Sequence, residues 1–367
     1  MGIKCKLAIA LCVQSILFAT SVFAADDPVV FSFAFFGCNR LDKAGVNATG
    51  LASTANAAQL LQDFKDVSDL KPSPQYLILA GDIVKGKKNG TKTLKKQLDA
   101  WVALVDKQLN PKTTLVVFTG NHELLTTATI AGKEVEVPNQ PAYPYWQKNM
   151  HPYIAGMDGP PQGGPDQLLN DEARLSYTFQ SGPYFFMVLN TDTQIDQTTS
   201  GDVPLNWIEA KLGAAQADPS VQHIFVMGHK PIAVPGKSID DGASNIRRGQ
   251  GQAFYALLNK PGAGGAASKV RAYLGAHAHL WNYQPKLSAP GFTGNVPQII
   301  AGNGGSPPDK SWRDSDGYFG YTLVAVTQSG KVTAQSFGRA IPTPDYFAQK
   351  PVPQPVTPRG SPYSLSP

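Results

Sequence analysis

Polar side chains, most of them able to bind metal ions, follow short apolar runs at five places along the chain. They are Cys38, Asn39 and Arg40 at the first place, then Asp82, then Asn121, His122 and Glu123, then His229, and last His277 with His279. Four of the six histidines in the chain belong to this set. Ligands of open α/β sheets bind beyond the carboxyl ends of the strands, so the placement predicts a single shared site.

The atoms that this set offers suit a transition metal better than calcium. Imidazole nitrogens combined with Asp and Asn oxygens favour zinc, iron or manganese. Asp82 is the natural bridge between two cations, because a carboxylate has two oxygens whereas an imidazole binds one ion only. His277 and His279 lie two residues apart and can face neighbouring ions if the backbone turns between them. The sequence therefore predicts a site for one or two transition-metal ions.

The apolar runs that precede these residues have the length of buried strands. Seven such runs are VVFSFAFF (29–36), QYLILA (75–80), TTLVVFT (113–119), YFFMVLN (184–190), HIFVMG (223–228), VRAYLGA (270–276) and QIIAG (298–302). Nearly continuous apolar runs fit strands that are covered on both faces, as in mixed or parallel sheets flanked by helices.

Helical periodicity appears between several of these runs. The spacing of apolar residues predicts helices over 57–67, 94–109 and 204–217. Because strand, loop and helix alternate along most of the chain, the fold class is α/β. The segments 130–164 and 236–249 carry the turn-rich composition of long loops, and loops of that length are commonly functional.

The two ends of the chain differ in composition from the rest. Residues 1–24 have the pattern of a cleaved secretory signal peptide, with Lys4 and Lys6 before an apolar run shorter than the ~20 residues that span a bilayer. An uncleaved membrane anchor is the alternative. We expect a secreted or periplasmic protein without a membrane span in its mature chain, one domain over 25–340, and a Pro-rich tail over 341–367 that wraps the domain or hangs free.

Charge and cysteine content narrow the function further. Lys and Arg number 32 against 27 Asp and Glu, an excess too small and too scattered to indicate a nucleic-acid partner. Once the first 24 residues are removed, Cys38 is the only cysteine, so no internal disulfide can form. The fold must therefore be held by its apolar core.

The series FFGCNR, AGDIVKG, TGNHE, MGHKP and GAHAH resembles the five ordered blocks of the calcineurin-like metallophosphoesterase superfamily, over residues from about 30 to 340. The segment DTQIDQTTSGDVPLNWIEAKL also resembles the purple-acid-phosphatase-like branch. The resemblance implies two packed mixed β-sheets flanked by helices, a four-layer αββα sandwich, with a dinuclear metal centre at the strand ends. It further implies a phosphoester substrate.

The resemblance also implies roles for individual residues. One ion would be held by Asp82, Asn121, His229 and His277, and the other by Asp82, His279 and the residues of the first block. His122 would lie near the leaving group and would be oriented by a carboxylate. Glu123 is adjacent in the chain, but the sequence does not decide whether it contacts His122.

The first block departs from the family pattern, in which an Asp, a spacer and a His are usual. Cys38 stands at the Asp position and Arg40 at the His position, and a guanidinium has no lone pair for a metal. Cys38 as thiolate could bind zinc or iron, or Asn39 could supply an oxygen. Arg40 could instead bind a substrate phosphate. Three outcomes stay open: two metals with an unusual second site, one metal plus Arg40, or an impaired enzyme.

These residues together predict a metal-dependent phosphoester hydrolase, a phosphatase or a phosphodiesterase, in which a metal-activated water attacks phosphorus directly. The expected catalytic residues are His122, which protonates the departing alkoxide, and Arg40. The alternative is a catalytically impaired binding protein that keeps the fold with a lost or altered second metal site. A scaffold whose Pro-rich tail docks partners is a third possibility.

Several other residues near these blocks have ambiguous roles. We expect structural roles for His151 and His223, and a turn or a cavity position for Asp192. The aromatic residues Tyr143, Tyr145 and Trp146 are expected to pack within their loop rather than line a substrate wall.

Overall fold

The computed structural model describes residues 27–41, 53–86, 90–106, 108–196, 201–262, 265, 267–315, 317–341 and 353–365. The predicted signal peptide over 1–24 lies outside these residues. In chain order the strands are β1 (Val29–Phe36), β2 (Tyr76–Ala80), β3 (Thr114–Phe118), β4 (Leu125–Ile130), β5 (Lys133–Pro138), β6 (Tyr177–Ser181), β7 (Tyr184–Leu189), β8 (His223–Gly228), β9 (Val270–Gly275), β10 (Trp281–Gln284), β11 (Gln298–Ala301), β12 (Tyr318–Thr327), β13 (Val332–Ala340) and β14 (Thr357–Ser364). The helices are α1 (Ala57–Asp69), α2 (Gly90–Val105), α3 (Asn121–Leu124), α4 (Ala142–Asn149), α5 (Leu205–Ala217), α6 (Arg248–Leu258) and α7 (Lys310–Arg313).

Two six-stranded mixed sheets form the centre of the fold. The first has the order β14-β13-β12-β1-β2-β3 and the second the order β10-β11-β9-β8-β7-β6. Strands β1, β2 and β3 run parallel in the first sheet, and β7, β8, β9 and β11 run parallel in the second. All seven strands predicted from apolar runs are present, as β1, β2, β3, β7, β8, β9 and β11.

The two sheets pack face to face through aromatic side chains. The ring of Phe33 on β1 lies 5.4 Å from Phe186 on β7 and 5.1 Å from Phe225 on β8, in edge-to-face geometry. Both neighbours are buried, as is Phe33 itself. Edge-to-face packing of this kind adds to the energy of area burial, so the inter-sheet core holds the strand ends in a fixed relation.

Helices cover the outer face of each sheet. Phe64 of α1, Trp101 of α2 and Trp146 of α4 pack on the first sheet, and Ile208 of α5 and Phe254 of α6 pack on the second. The four-layer α/β architecture predicted from the sequence is confirmed. No helix in the described part of the chain combines the length and the apolar character that crossing a bilayer requires.

The predicted helices are present with shifted ends. The helix predicted over 57–67 extends two residues further, and that over 204–217 begins at Leu205, because Pro204 occupies the N-cap. The helix predicted over 94–109 instead spans Gly90–Val105. The backbone N–H of Gln108 bonds to the Val105 carbonyl in a turn, so the chain has already left the helix there.

The segment 130–164 is not a long loop, which corrects the prediction from its composition. Strands β4 and β5 form an antiparallel hairpin joined by Ala131 and Gly132, both with positive φ. Helix α4 and a 3-10 turn at His151–Tyr153 follow. The apolar side chains of this segment pack within the first sheet's outer core, which composition alone does not reveal. The segment 236–247 is a loop, as predicted, and ends where α6 begins.

Part of the Pro-rich tail belongs to the first sheet. Strand β14 pairs with β13 at the sheet edge, where prolines such as Pro358 and Pro362 are tolerated. The ring of Tyr363 lies 4.3 Å from that of Tyr283 on β10, so the tail also contacts the second sheet. Of the two alternatives predicted for the tail, residues 357–364 follow the wrapped one, while the domain boundary at 340 stays a prediction.

Candidate metal centre

Three of the predicted site residues have a left-handed backbone. Cys38, Asp82 and His277 follow β1, β2 and β9, with φ of 58°, 52° and 56° respectively. Asp and His tolerate this region better than most residues, whereas Cys seldom adopts it. The sharp reversal after each strand turns the three side chains toward one another at the carboxyl ends of both sheets.

The carboxylate of Asp82 is the centre of this group. Its Oδ1 accepts the backbone N–H of His122 at 3.2 Å and lies 3.3 Å from Nε2 of His229. Its Oδ2 accepts Nε–H of Arg40 at 3.3 Å. Burial alone would raise the pKa of Asp82, but the charges of His122, His229 and Arg40 hold that pKa well below its usual range. The carboxylate is therefore ionised and surrounded by cationic or donor groups.

Glu123 fixes the turn that carries Asp82. Its Oε2 accepts the backbone N–H groups of Gly120 at 2.8 Å and Asp82 at 3.0 Å. Its Oε1 accepts those of Ile83 at 3.0 Å and Val84 at 3.2 Å. Burial and the nearby charge of Asp82 raise the pKa of Glu123 to about 7. With these four hydrogen bonds the carboxylate of Glu123 connects the turn after β2 to the turn after β3. The sequence had left the role of Glu123 undecided.

Gly120 lies where no side chain would fit. A Cβ there would lie 2.5 Å from Oδ1 of Asp82 and 2.8 Å from Cε1 of His229. The backbone N–H of the nearby His122 thereby reaches the same carboxylate oxygen. The absence of a side chain at this residue allows the three loops to close around Asp82.

Hydrogen bonds orient the three imidazoles through their outer nitrogens. Nδ1 of His229 donates to the Ala80 carbonyl at 2.7 Å, so Nε2 faces Asp82. Nε2 of His277 donates to the Ala243 carbonyl at 2.8 Å, which leaves Nδ1 facing Nε2 of His229 at 3.1 Å. Nδ1 of His279 donates to the Pro307 carbonyl at 2.6 Å. Carbonyl partners of this kind are typical behind metal-binding histidines.

The electrostatic surroundings of the two closing histidines favour their neutral, metal-binding form. Desolvation, together with the charges of His229 and Lys230, places the pKa of His277 well below its usual value. Desolvation and the charge of Arg40 also lower the pKa of His279. Both rings are partly exposed whereas Asp82 and His229 are buried, so the group opens to solvent on the side of these two histidines.

Asn121 presents an amide oxygen without a partner. Its Nδ2 donates to both carboxylate oxygens of Glu136 on β5, at 3.1 and 3.0 Å. Its Oδ1 is buried and accepts no hydrogen bond from any described residue. A buried amide oxygen left unpaired is costly unless a ligand satisfies it.

These residues fit a cation on one side of Asp82. Two ligand atoms bonded at about 2.1 Å to a common cation lie about 3.0–3.4 Å apart. The Asp82–His229 and His229–His277 distances of 3.3 and 3.1 Å match this spacing. Ligand atoms of Cys38, Asp82 and His229 also lie within 4.8 Å of one another. We call the group of Asp82 Oδ1, Asn121, His229 and His277 the Asn121 side.

The opposite side of Asp82 differs in its charge. We call Asp82 Oδ2, Arg40 and His279 the Arg40 side. The side chains of Arg40 and Asp82 are 10% and 1% exposed, so the ion pair is largely shielded from water. The permanent positive charge of Arg40 already faces the oxygen that a second cation would need, so the residues of this side do not fit a second ion.

His122 is held by a backbone group. Its Nδ1 donates to the Lys85 carbonyl at 2.6 Å, and its Nε2 lies 4.0 Å from Oδ2 of Asp82. The orienting partner is therefore a carbonyl, not the carboxylate that the family resemblance implied, because Glu123 is engaged with backbone N–H groups. The Nε2 atom points into the centre, as a proton donor to a leaving group requires.

The remaining predicted residues have structural partners. Asp192 is buried and accepts Nζ of Lys230 at 2.5 Å and the Gly201 N–H at 2.9 Å. His223 accepts Nε–H of Arg271 and stacks on Tyr184, while His151 is exposed. Asn39 donates to the Gly304 carbonyl at 2.7 Å, and its Oδ1 has no partner among the described residues. Tyr143 and Trp146 were predicted to pack within a loop; they lie instead on α4 and are buried in the outer core of the first sheet.

The sequence did not reveal two residues that position the side chains of the site. Glu136, on β5, reaches Asn121 only because the β4–β5 hairpin folds back beside α3. Lys230 follows His229, and its buried ammonium donates to Asp192 and to the Gly242 carbonyl. The alternating pattern KEVEVP was the signal available for the hairpin, although it does not indicate a contact with Asn121.

The chain is similar to known proteins in its sequence profile and in its fold. The sequence profile described as calcineurin-like phosphoesterase matches residues 50–280. The fold is similar to a dimetal phosphatase from Danio rerio (14% identity, TM-score 0.50, covering 84% of this chain and 96% of that one). It is also similar to PhoD (14% identity, TM-score 0.55, covering 92% and 71%). No curated protein is significantly similar to the chain in sequence. At this identity the two structures support the fold alone.

Proposed function

The chain belongs to the calcineurin-like phosphoesterase family, and on that basis we propose that it is a metal-dependent phosphoester hydrolase, a phosphatase or phosphodiesterase. The single observation that carries the proposal is the convergence of Asp82, His229 and His277 at spacings of 3.3 and 3.1 Å. Such spacings between donor atoms are those of ligands around one cation. The unpartnered Oδ1 of Asn121 supports the same reading.

Asp82, Asn121, His229 and His277 would hold the ion. A transition metal bound there supplies Lewis-acid stabilisation of phosphoryl charge and acidifies water. The protein residues do the rest. Glu123 keeps Asp82 in its turn, and the Ala80 and Ala243 carbonyls keep the imidazoles of His229 and His277 in their ligating orientation.

His122 is the proposed general acid. Because its Nδ1 proton is directed to the Lys85 carbonyl, proton transfer takes place at Nε2. Oδ2 of Asp82 lies 4.0 Å from that atom, so Nε2 faces the centre of the site. A protonated Nε2 can give its proton to the departing alkoxide of the ester. The water enters from the side of the partly exposed His277 and His279.

Hydrolysis assays test the proposal directly. The purified mature chain should hydrolyse aryl phosphate monoesters or diesters with added Mn²⁺, Zn²⁺ or Fe²⁺, and Asn121→Ala should abolish most of that turnover. His151→Ala is the matched control, since this exposed histidine lies outside the centre. Absence of turnover with every ion, or undiminished turnover in Asn121→Ala, contradicts the proposal.

A second candidate function is a binding protein without hydrolytic activity. The observation that favours it is the ion pair of Arg40 with Oδ2 of Asp82, which alters the side of the centre that the family uses for its other ion. Elemental analysis separates the two functions. A chain that binds no transition metal tightly after reconstitution would be the binding protein.

We also propose that the protein is exported. The support is the pattern of residues 1–24, whose cleavage is expected before Ala25. N-terminal sequencing of the protein recovered from its producing cells tests this, and a mature chain that begins at Met1 contradicts it.

A further inference from the structure

The Arg40 side of the centre carries a fixed cation of the protein itself. The guanidinium cannot be deprotonated in a protein and offers no lone pair to a metal. Its Nε lies 3.3 Å from Oδ2 of Asp82, the oxygen that a bridging carboxylate would give to a second ion. The guanidinium opposes a second ion through its permanent positive charge, which water screens little because the ion pair is largely buried.

The charge of Arg40 reaches the other donors that a second ion would use. Burial raises the pKa of Cys38 well above its usual value, and the charge of Arg40 opposes that rise; desolvation and the charge of Arg40 lower the pKa of His279. Cys38 lies two residues from Arg40, and its sulfur lies within 4.8 Å of a carboxylate oxygen of Asp82, with which Arg40 pairs. A dication placed among Cys38, His279 and Asp82 Oδ2 would meet a like charge at short range, in surroundings with little water to screen it.

The backbone of Arg40 is fixed on both sides of its Cα. Its N–H donates to the Asp82 carbonyl at 3.0 Å, and its carbonyl accepts the Ser306 hydroxyl at 2.8 Å. The same residue forms an isolated antiparallel bridge with Ala55. These contacts fix the backbone from which the side chain extends to Oδ2 of Asp82, the oxygen that a second ion would bind. Release of Oδ2 would require the guanidinium to turn away from a buried carboxylate.

We propose that Arg40 replaces the second cation, so that the active chain holds one metal ion, on the Asn121 side, with the guanidinium as the permanent neighbouring charge. The inference rests on the proposed function, because it assumes that the Asn121 side binds a metal. It goes beyond that function by assigning the number of ions and a residue that determines it. Of the three outcomes left open by the sequence, it selects one metal plus Arg40.

Metal stoichiometry tests the inference without relying on turnover. The native chain, loaded with excess Mn²⁺ and freed of loose ions, should contain one Mn²⁺ per chain and give the electron paramagnetic resonance spectrum of an isolated ion. The double variant Cys38→Asp/Arg40→His restores the family pattern of the first block. It should bind two ions and show the exchange coupling of a neighbouring pair. Arg40→Lys, which keeps a positive charge, is the matched control and should stay at one ion.

Each result bears on a different claim. Two ions in the native chain, or a second ion bound by Arg40→Lys, overturn the inference while leaving the proposed hydrolase intact. A folded double variant, verified by circular dichroism, that still binds one ion also overturns it. No ion in the native chain overturns the proposed function and the inference together. The native measurement needs no variant, so a misfolded double variant leaves the inference open to refutation.

Discussion

The two sides of the Asp82 carboxylate use the same residue in opposite ways. On the Asn121 side, backbone carbonyls hold the imidazoles of His229 and His277 with their inner nitrogens toward the centre, and the Asn121 amide oxygen has no partner among the described residues. On the Arg40 side, Oδ2 is already paired with a guanidinium. One side is arranged to receive a cation, and the other contains its own.

This difference shows that the type of one residue can change the electrostatics of half a site without changing its fold. The Asn121 side is built from residues that follow β3, β8 and β9, and the Arg40 side from residues that follow β1 and β9. We infer that the divergent first block alters the charge of the centre rather than the fold of the chain.

The largest effect is expected from removing one imidazole on each side. The His229→Ala variant should lose its metal, and its hydrolytic activity should fall by more than about 100-fold. Even substitution of a residue that only supports a metal ligand lowers metal affinity by about 10- to 100-fold. His279→Ala, on the Arg40 side, should keep its metal. Elemental analysis and kcat/KM of the two variants check this, and an equal loss of metal in both would remove the distinction between the sides.

Glu123→Gln tests the turn that both sides share. The amide nitrogen of Gln cannot accept a hydrogen bond, so two of the four backbone N–H groups lose their acceptor. Each buried donor left unsatisfied destabilises the fold by about 1–3 kcal/mol. The free energy of unfolding of the metal-free chain should therefore fall by about 2–6 kcal/mol. Urea unfolding measures it, and a value within error of the native chain would show that Glu123 is not the clamp of the Asp82 turn.

Glu136→Gln should act on the Asn121 side alone. The Gln side chain can turn an N–H group toward Nδ2 of Asn121, which weakens the bond that directs Oδ1 inward, and metal affinity should fall by about 10- to 100-fold. Glu134→Gln, an exposed change on the same strand, is the control and should leave affinity unaltered. Competition with a chromophoric chelator gives both constants. Equal constants for the two variants would contradict the positioning role.

Cys38→Ser should have the smallest effect and decides to which side Cys38 belongs. The sulfur of Cys38 lies within 4.8 Å of ligand atoms of Asp82 and His229. We therefore expect the thiolate to bind the ion on the Asn121 side as an additional ligand. The Co²⁺-loaded native chain should then show a thiolate-to-metal charge-transfer band that Cys38→Ser lacks, while the other ligands retain the ion. A native chain without that band would make Cys38 a packing residue, consistent with its complete burial.

The convergence of these strand ends could be predicted from the sequence because its signal is local. Each block follows an apolar strand, and the ends of β1, β2, β8 and β9 meet where two packed sheets end. Placing Asp82 near His229 thus requires only the order of strands and turns. The α/β class and the four-layer arrangement could be predicted for the same reason.

The contacts that decide the chemistry could not be predicted, because they depend on rotamers and on encounters between distant segments. Binding a substrate phosphate was one of the roles open to Arg40, and nothing in the sequence indicated that its Nε pairs with Asp82, 42 residues away. Glu123 was considered as a partner for His122 and instead binds backbone N–H groups. Glu136 lies in a segment whose composition predicted a loop, so its approach to Asn121 had no signal in the sequence.

Strand β14 has a consequence for the solution behaviour of the protein. Without it, the outer backbone groups of β13 would be unpaired and would offer a template to which another copy could add a strand. Pro358 and Pro362 lack N–H groups, so β14 itself is a poor template for further growth. The tail thus terminates the sheet, and chains shortened before residue 357 should self-associate at this boundary even when their catalytic residues are intact.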